Sequence, residues 1–532
     1  MDDNKKNPDE NQSLNDIQNK PSDFPQGGMS PVSEEPPNEP INPPSPEEPK
    51  PIFETVPEGQ NQPQPPNESM TPEEIAPDVT APASDDITPS QALPSDSPPM
   101  VYEENKNKYF IIAGVAAVFV ILMIIFIKFL FGAKTAGKNI TLAYWGLWED
   151  KEVFQPLIDQ YQKNNPKIKI DYQKMDPQDY RDKLLARSKN GQGPDIFRFH
   201  NTWLPEIREL AAPLPNTIMA NSEFEKTFYK IHQTDLKVDT YYYGLPLEID
   251  GLVFIYNENL LKKAGIQTAP ATWDEVTDMV SKLTVKDKSG RLITSGIAIG
   301  TSSNVENFSD IFGLMLMQNG GSIKKLDQPE AVGALEIYRK FAESPQGFWD
   351  ENMPNSTTAF IQEKVAMILA PSWTILNIKA ANPDISLKVV PVPSVPGATP
   401  VSIANYWVEG VSRYSKNQLE AWKFLNYLVQ KDNLTKLYEI EARLRPFGEP
   451  YSRVDLAPLL AQNEYLGAVI KQADNYVSVP LIKRTYDGGL NDELIQYLEN
   501  AINATIQGVS YQEALKTASD GVTQVFTKYK IE

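Results

Sequence analysis

The chain has 532 residues, with 50 Lys and Arg against 70 Asp and Glu, 45 Pro, two His and no Cys. The lack of cysteine excludes a disulfide framework, a thiolate metal site, a cysteine nucleophile and a lipid-modified N-terminal cysteine. With only His200 and His232 available, a multi-histidine metal centre is not expected. The net charge of −20 argues against a nucleic-acid partner, whose footprint is a basic patch.

The charge is uneven along the chain. The first hundred residues hold 20 Asp and Glu against 4 Lys, and 23 of the 45 prolines. Such a segment has too little apolar surface to offset its chain entropy. Residues 1–105 are therefore expected to be a disordered, acidic, Pro-rich tail of locally extended character, acting as a spacer.

The composition then changes abruptly. Residues 109–127 carry no charge, and as a helix they rise ~28 Å, close to the thickness of a bilayer's hydrocarbon core. Tyr109 and Lys128-Phe-Leu-Phe131 supply interfacial anchors, so residues 109–131 are expected to form one transmembrane helix. The span lies too deep in the chain for a cleaved signal peptide. Lys106 and Lys108 before it, and Lys128, Lys134 and Lys138 after it, do not favour a cytoplasmic N-terminus by the positive-inside rule.

From residue 139 the pattern is α/β. Strands are expected at 140–145, 168–172 and 195–199, alternating with helices at 150–163 and 177–190. Strands alternating with helices across short turns imply a parallel, layered sheet, with ligands at the carboxyl ends of its strands. Trp145-Gly-Leu-Trp148 and His200-Asn-Thr-Trp203 then fall at one open edge. Asp176, Asp179 and Asp182 lack the glycine and terminal glutamate of a calcium loop and read as a helix start.

Further on, the chain closely resembles a known family. Gly244-Leu-Pro-Leu-Glu-Ile-Asp-Gly-Leu-Val-Phe-Ile-Tyr-Asn257, Leu260-Leu-Lys-Lys-Ala-Gly265 and Pro270-Ala-Thr-Trp-Asp-Glu275 resemble the extracellular solute-binding proteins of sugar ABC transporters, the family that includes the maltose-binding protein. Supporting pieces follow in family order: Gly193-Pro-Asp-Ile196, Phe360 with Lys364-Val-Ala-Met367, Pro371-Ser-Trp373, Pro391-Val-Pro393, Glu420-Ala-Trp-Lys-Phe-Leu425, Arg445-Pro446 and Glu513-Ala-Leu515. The resemblance implies a two-lobed periplasmic-binding-protein-like fold over 139–532 that closes about a hinge. One lobe takes about 139–248 and 402–447, the other about 252–400 and 450–532. It also implies a carbohydrate ligand, an ABC permease partner, no cofactor and no catalysis. The binding domain would lie outside the cell, the N-terminus in the cytoplasm.

Sugar recognition needs aromatic faces for the C–H face of the ring and directional partners for its hydroxyls. Trp145, Trp148, Trp203, Trp373, Tyr406 and Trp407 are the candidate stacking groups. Glu248 and Asp250, two apart in an apolar stretch, would face one way in a strand and accept hydrogen bonds from hydroxyls. His200, Asn201 and Arg445 complete the candidate set. By resemblance Asp250 matches the family's acid in the crossing strand and Trp373 its stacking tryptophan. Tyr486 or Asp487 stands where a later stacking tryptophan is missing, and Glu363 replaces the motif's usual glycine. Trp273 and Trp422 are assigned to packing, and Trp349 has no assigned role. Two other readings remain open: a receptor signalling to a membrane partner, and a glycoside hydrolase using Glu248 and Asp250.

Overall fold

The structure is a computed structural model that describes residues 118–123 and 139–531. The expected tail lies outside the described residues, as does all of the expected membrane span except 118–123, which are helical. Among the described residues no helix is long and apolar enough to cross a membrane.

The first sheet runs in the order Ile168–Lys174, Ile140–Gly146, Ile196–His200, Trp407–Val411, Leu245–Pro246. The first three strands are parallel, and Trp407–Val411 joins antiparallel, with Trp407 opposite His200. The helix Lys151–Asn164 covers this sheet because Val153, Phe154, Leu157, Ile158 and Tyr161 form one apolar stripe, and all five are buried.

The second sheet runs Leu387–Val390, Leu252–Asn257, Val365–Pro371, Leu292–Ile297, Val285–Lys286. Its central strand, Val365–Pro371, is apolar and buried at every position, as a strand covered on both faces must be. The two long C-terminal helices, Leu490–Ile506 and Tyr511–Tyr529, pack against each other and against helices of this half.

Two segments pass between the sheets, at 247–251 and 402–406, and a third, 476–477, lies along the second of them. Ser402–Ile403 pairs in parallel with Tyr476–Val477, and Gly251 bridges Ala404. Gly251 is required by this crowding. A Cβ there would sit 2.2 Å from the Ile403 carbonyl oxygen and 2.4 Å from the Tyr476 ring. The apolar stretch 245–256 is accordingly two strands, one in each sheet, joined by a crossing where the lobe boundary was expected.

Candidate functional site

A cavity of about 340 Å³ opens at the seam between the two halves. Loops at strand ends supply its walls. Trp148 follows the strand Ile140–Gly146, and Trp407 opens the strand Trp407–Val411. Trp373 sits at the start of the helix Thr374–Ala381, which also contributes Leu376 and Asn377. Glu248, Asp250 and Asn405 come from the crossing segments, Arg445 and Glu449 from the loop after the helix Lys431–Leu444, and Lys483, Arg484 and Tyr486 from the loop before Leu490–Ile506.

The aromatic side groups are fixed in mutual contact. The Trp148 ring lies edge-on to Trp407 at 5.2 Å between centroids and 6.0 Å from Tyr486. The Arg484 guanidinium lies 6.0 Å from the Trp373 ring centroid, within cation–π range. Arg484 and Tyr486 both have left-handed backbones, at φ 63° and 56°. Such conformations cost about 1–3 kcal/mol each and persist where the surroundings impose them, often at binding sites.

The two expected acids line the cavity, but their oxygens are already engaged. Asp250 Oδ1 accepts from the Gly251 N–H at 2.7 Å and the Ser372 N–H at 3.3 Å, and Oδ2 accepts from the Trp373 N–H at 3.4 Å. It therefore pins the turn that carries Trp373, and burial lifts its pKa to about 7. Glu248 accepts from the Trp407 N–H at 2.8 Å. Its pKa is pushed well above the usual carboxylate range, by burial first and by the neighbouring Glu449 carboxylate second. Glu449 is held below that range. Burial opposes its charge, but Arg445 at 2.7 Å and a hydrogen bond with Glu248 outweigh it.

Six of the eleven expected residues line the cavity: Trp148, Glu248, Asp250, Trp373, Trp407 and Arg445. The other five, Trp145, His200, Asn201, Trp203 and Tyr406, stand behind it, buried. Trp407 occupies the space they were expected to face, with its ring 5.1 Å from His200 and 5.4 Å from Trp203. Asn201 and Tyr406 instead donate to the half-buried Asp235 carboxylate, at 3.0 and 2.8 Å, and Trp145 packs beside Tyr180. Trp273, Trp349 and Trp422 are core residues.

Sequence reasoning did not find Asn405, Glu449, Lys483 or Arg484. Asn405 had one usable signal, a polar side chain inside the apolar run Ile403-Ala-Asn-Tyr-Trp407. Tyr486, one of two positions considered for the missing stacking group, lines the cavity, whereas Asp487 is buried and accepts from the N–H groups of Gly489 and Asn491 at the start of the last helix pair. Among the described residues there is no cluster of His, Cys, Asp and Glu able to hold a metal ion.

The model of the bacterial extracellular solute-binding protein family matches residues 145–434, more than half of the chain. A Brucella abortus protein designated only as a binding protein is 25% identical over 312 residues, which are 57% of this chain and 74% of that protein. The maltodextrin-binding protein of Bacillus subtilis is 26% identical over 276 residues, 48% of this chain and 61% of that protein. In fold, the chain resembles the sugar-binding protein MalE of Xanthomonas citri, with a TM-score of 0.61 at 19% identity, covering 74% of this chain and 98% of that one. These relatives are binding proteins rather than enzymes. The two-sheet architecture, the cleft at its seam and the family match agree: the chain belongs to the bacterial extracellular solute-binding proteins.

Proposed function

We propose that this protein captures a carbohydrate between its two halves and delivers it to an ABC transporter permease, from the outer face of a membrane to which residues 109–131 anchor it. The observation that carries the carbohydrate reading is the composition of the cleft. Trp148, Trp373, Trp407 and Tyr486 offer ring faces, with amides and charged groups set between them. At about 340 Å³ the cavity is at the small end of ligand pockets, which suits a short saccharide. The names of the Bacillus subtilis and Xanthomonas citri relatives support the same class.

The crossing segments at 247–251 and 402–406, with 476–477 paired to the second, serve as the hinge between lobes. Ligand would favour the closed form by the contacts it makes only there. The uncharged span supports a tethered protein, since a tether keeps the binding domain near its permease; capture of solute outside the cell then puts the N-terminus in the cytoplasm. Hydrolysis is disfavoured because Asp250 is spent on backbone N–H groups and Glu248 on the Trp407 N–H and on Glu449.

Titration of the protein with mono- and oligosaccharides, read by tryptophan fluorescence and calorimetry, tests the proposal. Saturable binding with no product formed is the expected result. Absence of binding to any carbohydrate would overturn it, and turnover would reopen the hydrolase reading. Protease access to tags at each end tests the orientation, and a shielded C-terminal end would refute it.

A further inference from the structure

The charged groups lining the cleft fall into two kinds, those already partnered and one that is not. Every lining carboxylate is spent within the protein: Asp250 on three backbone N–H groups, Glu248 on the Trp407 N–H and Glu449, and Glu449 on Arg445. Arg445 also pairs with Glu441, and Arg484 pairs with Glu306. The Lys483 ammonium differs. Among the described residues no carboxylate lies within ion-pair distance of it; the Phe308 ring is 5.2 Å away, and the Asp310 and Asp492 carboxylates act on it only from farther off.

The neutral groups point to the same polarity. Asn405 Oδ1 faces His200 Nε2 at 3.1 Å. The other ring nitrogen, Nδ1, receives the Thr202 backbone N–H at 3.3 Å and lies 2.8 Å from Thr202 Oγ1, whose lone pair takes a hydrogen bond from Asn491 Nδ2 and whose proton is free for Nδ1, so it acts as an acceptor. The neutral ring therefore carries its proton on Nε2, which fixes the Asn405 amide with its oxygen toward His200 and its nitrogen away. Burial holds His200 down to about 4, so this tautomer persists at neutral pH. Among the described residues, the freed Asn405 Nδ2 and the Trp148 indole N–H are both buried donors without a partner. An unmade buried hydrogen bond costs on the order of 1–3 kcal/mol, which a ligand acceptor would recover.

We propose that the solute is an anionic sugar, whose carboxylate or phosphate group pairs with Lys483 while its ring lies on the cleft aromatics and its oxygens accept from Asn405 and Trp148. This inference rests on the carbohydrate reading above and narrows it.

Calorimetric titration of the full chain with matched pairs tests it: glucose with glucuronate and glucose phosphate, galactose with galacturonate, and the corresponding disaccharides. The expected result is at least tenfold tighter binding of an acidic member than of its neutral counterpart, and which acidic member gains identifies the anionic group. Lys483→Met should remove that preference, and Lys483→Arg should retain it. The backbone N–H of Lys483 bonds the buried Asp310 at 3.0 Å, a contact that these substitutions keep. Neutral sugars binding as tightly as acidic ones, or an acid preference that survives in Lys483→Met, would overturn the inference and leave the carbohydrate reading standing. Failure of every carbohydrate to bind would overturn both.

Discussion

The strands at the centres of the two sheets, Ile196–His200 and Val365–Pro371, are both buried along their whole length, yet they are filled differently. The first carries Arg198 in its middle, bonded to Glu149 and, at 2.6 Å, to Glu409, all three buried. The second has no polar side chain at all. The turns that follow them also diverge. Trp203, after the first, has no solvent exposure, because Trp407 lies over it, whereas Trp373, after the second, is half-buried and walls the cleft. The same topological position therefore yields a core residue in one half and a binding residue in the other.

The largest effects are expected where buried charge is left unpaired. Arg198→Met strands Glu149 and Glu409 and should cost about 3–5 kcal/mol of stability by denaturant unfolding. The loss should shrink at low pH, where the stranded carboxylates take up protons. Ile368→Ala in the apolar strand should cost about 2–5 kcal/mol with no such pH dependence. Equal pH profiles for the two would erase the distinction between the strands. Next come the two tryptophans. Trp203→Ala should destabilise the fold by about 3–5 kcal/mol. Trp373→Ala should weaken sugar binding more than tenfold, and shift stability far less. If Trp203→Ala spared the fold while weakening binding, the assignment of core and cleft would be reversed.

A smaller effect is expected beneath the first turn. Asp235 Oδ2 accepts from Asn201, Tyr406 and Ser478, at 3.0, 2.8 and 2.5 Å. Burial raises this carboxyl to about 6 despite those bonds. A raised carboxyl pKa means the folded state binds the proton more tightly than the unfolded one. Its contribution is present below the unfolded pKa of about 3.9 and fades as pH rises to about 6. Asp235→Asn should therefore gain stability relative to the parent as pH rises through that window, and a flat difference would contradict the assignment. The smallest change lies in the second half, at Glu363, which holds a left-handed φ of 55° before Val365–Pro371 and accepts from Asn257 at 3.0 Å. Glu363→Gly relieves the backbone but loses that bond and raises unfolded-state entropy, so the net should fall within about 1 kcal/mol of zero.

Local signals were reliable where one element sets its own pattern. The helix expected at 150–163 is Lys151–Asn164, and the strand expected at 195–199 is Ile196–His200. Where a segment changes partners, as at 245–256, the apolar run alone does not show the switch of sheets; the family resemblance placed it between 248 and 252, where the structure has it. Glu248 and Asp250 were identifiable as acids at the cleft, but not as acids already spent on backbone N–H groups.

The amino-acid order by itself determined the α/β alternation, the uncharged span, the acidic tail and the motifs that mark the family, because each depends on neighbours a few residues apart. Only the tertiary structure decided which tryptophans line the cleft and which fill the core, that Asn405 turns its nitrogen from His200, and that among the described residues Lys483 has no carboxylate within ion-pair distance. Those outcomes depend on groups far apart in the chain, such as Trp203 and Trp407, Asn405 and His200, or Trp148 and Tyr486, being packed within a few ångströms, where the space one ring takes is denied to another.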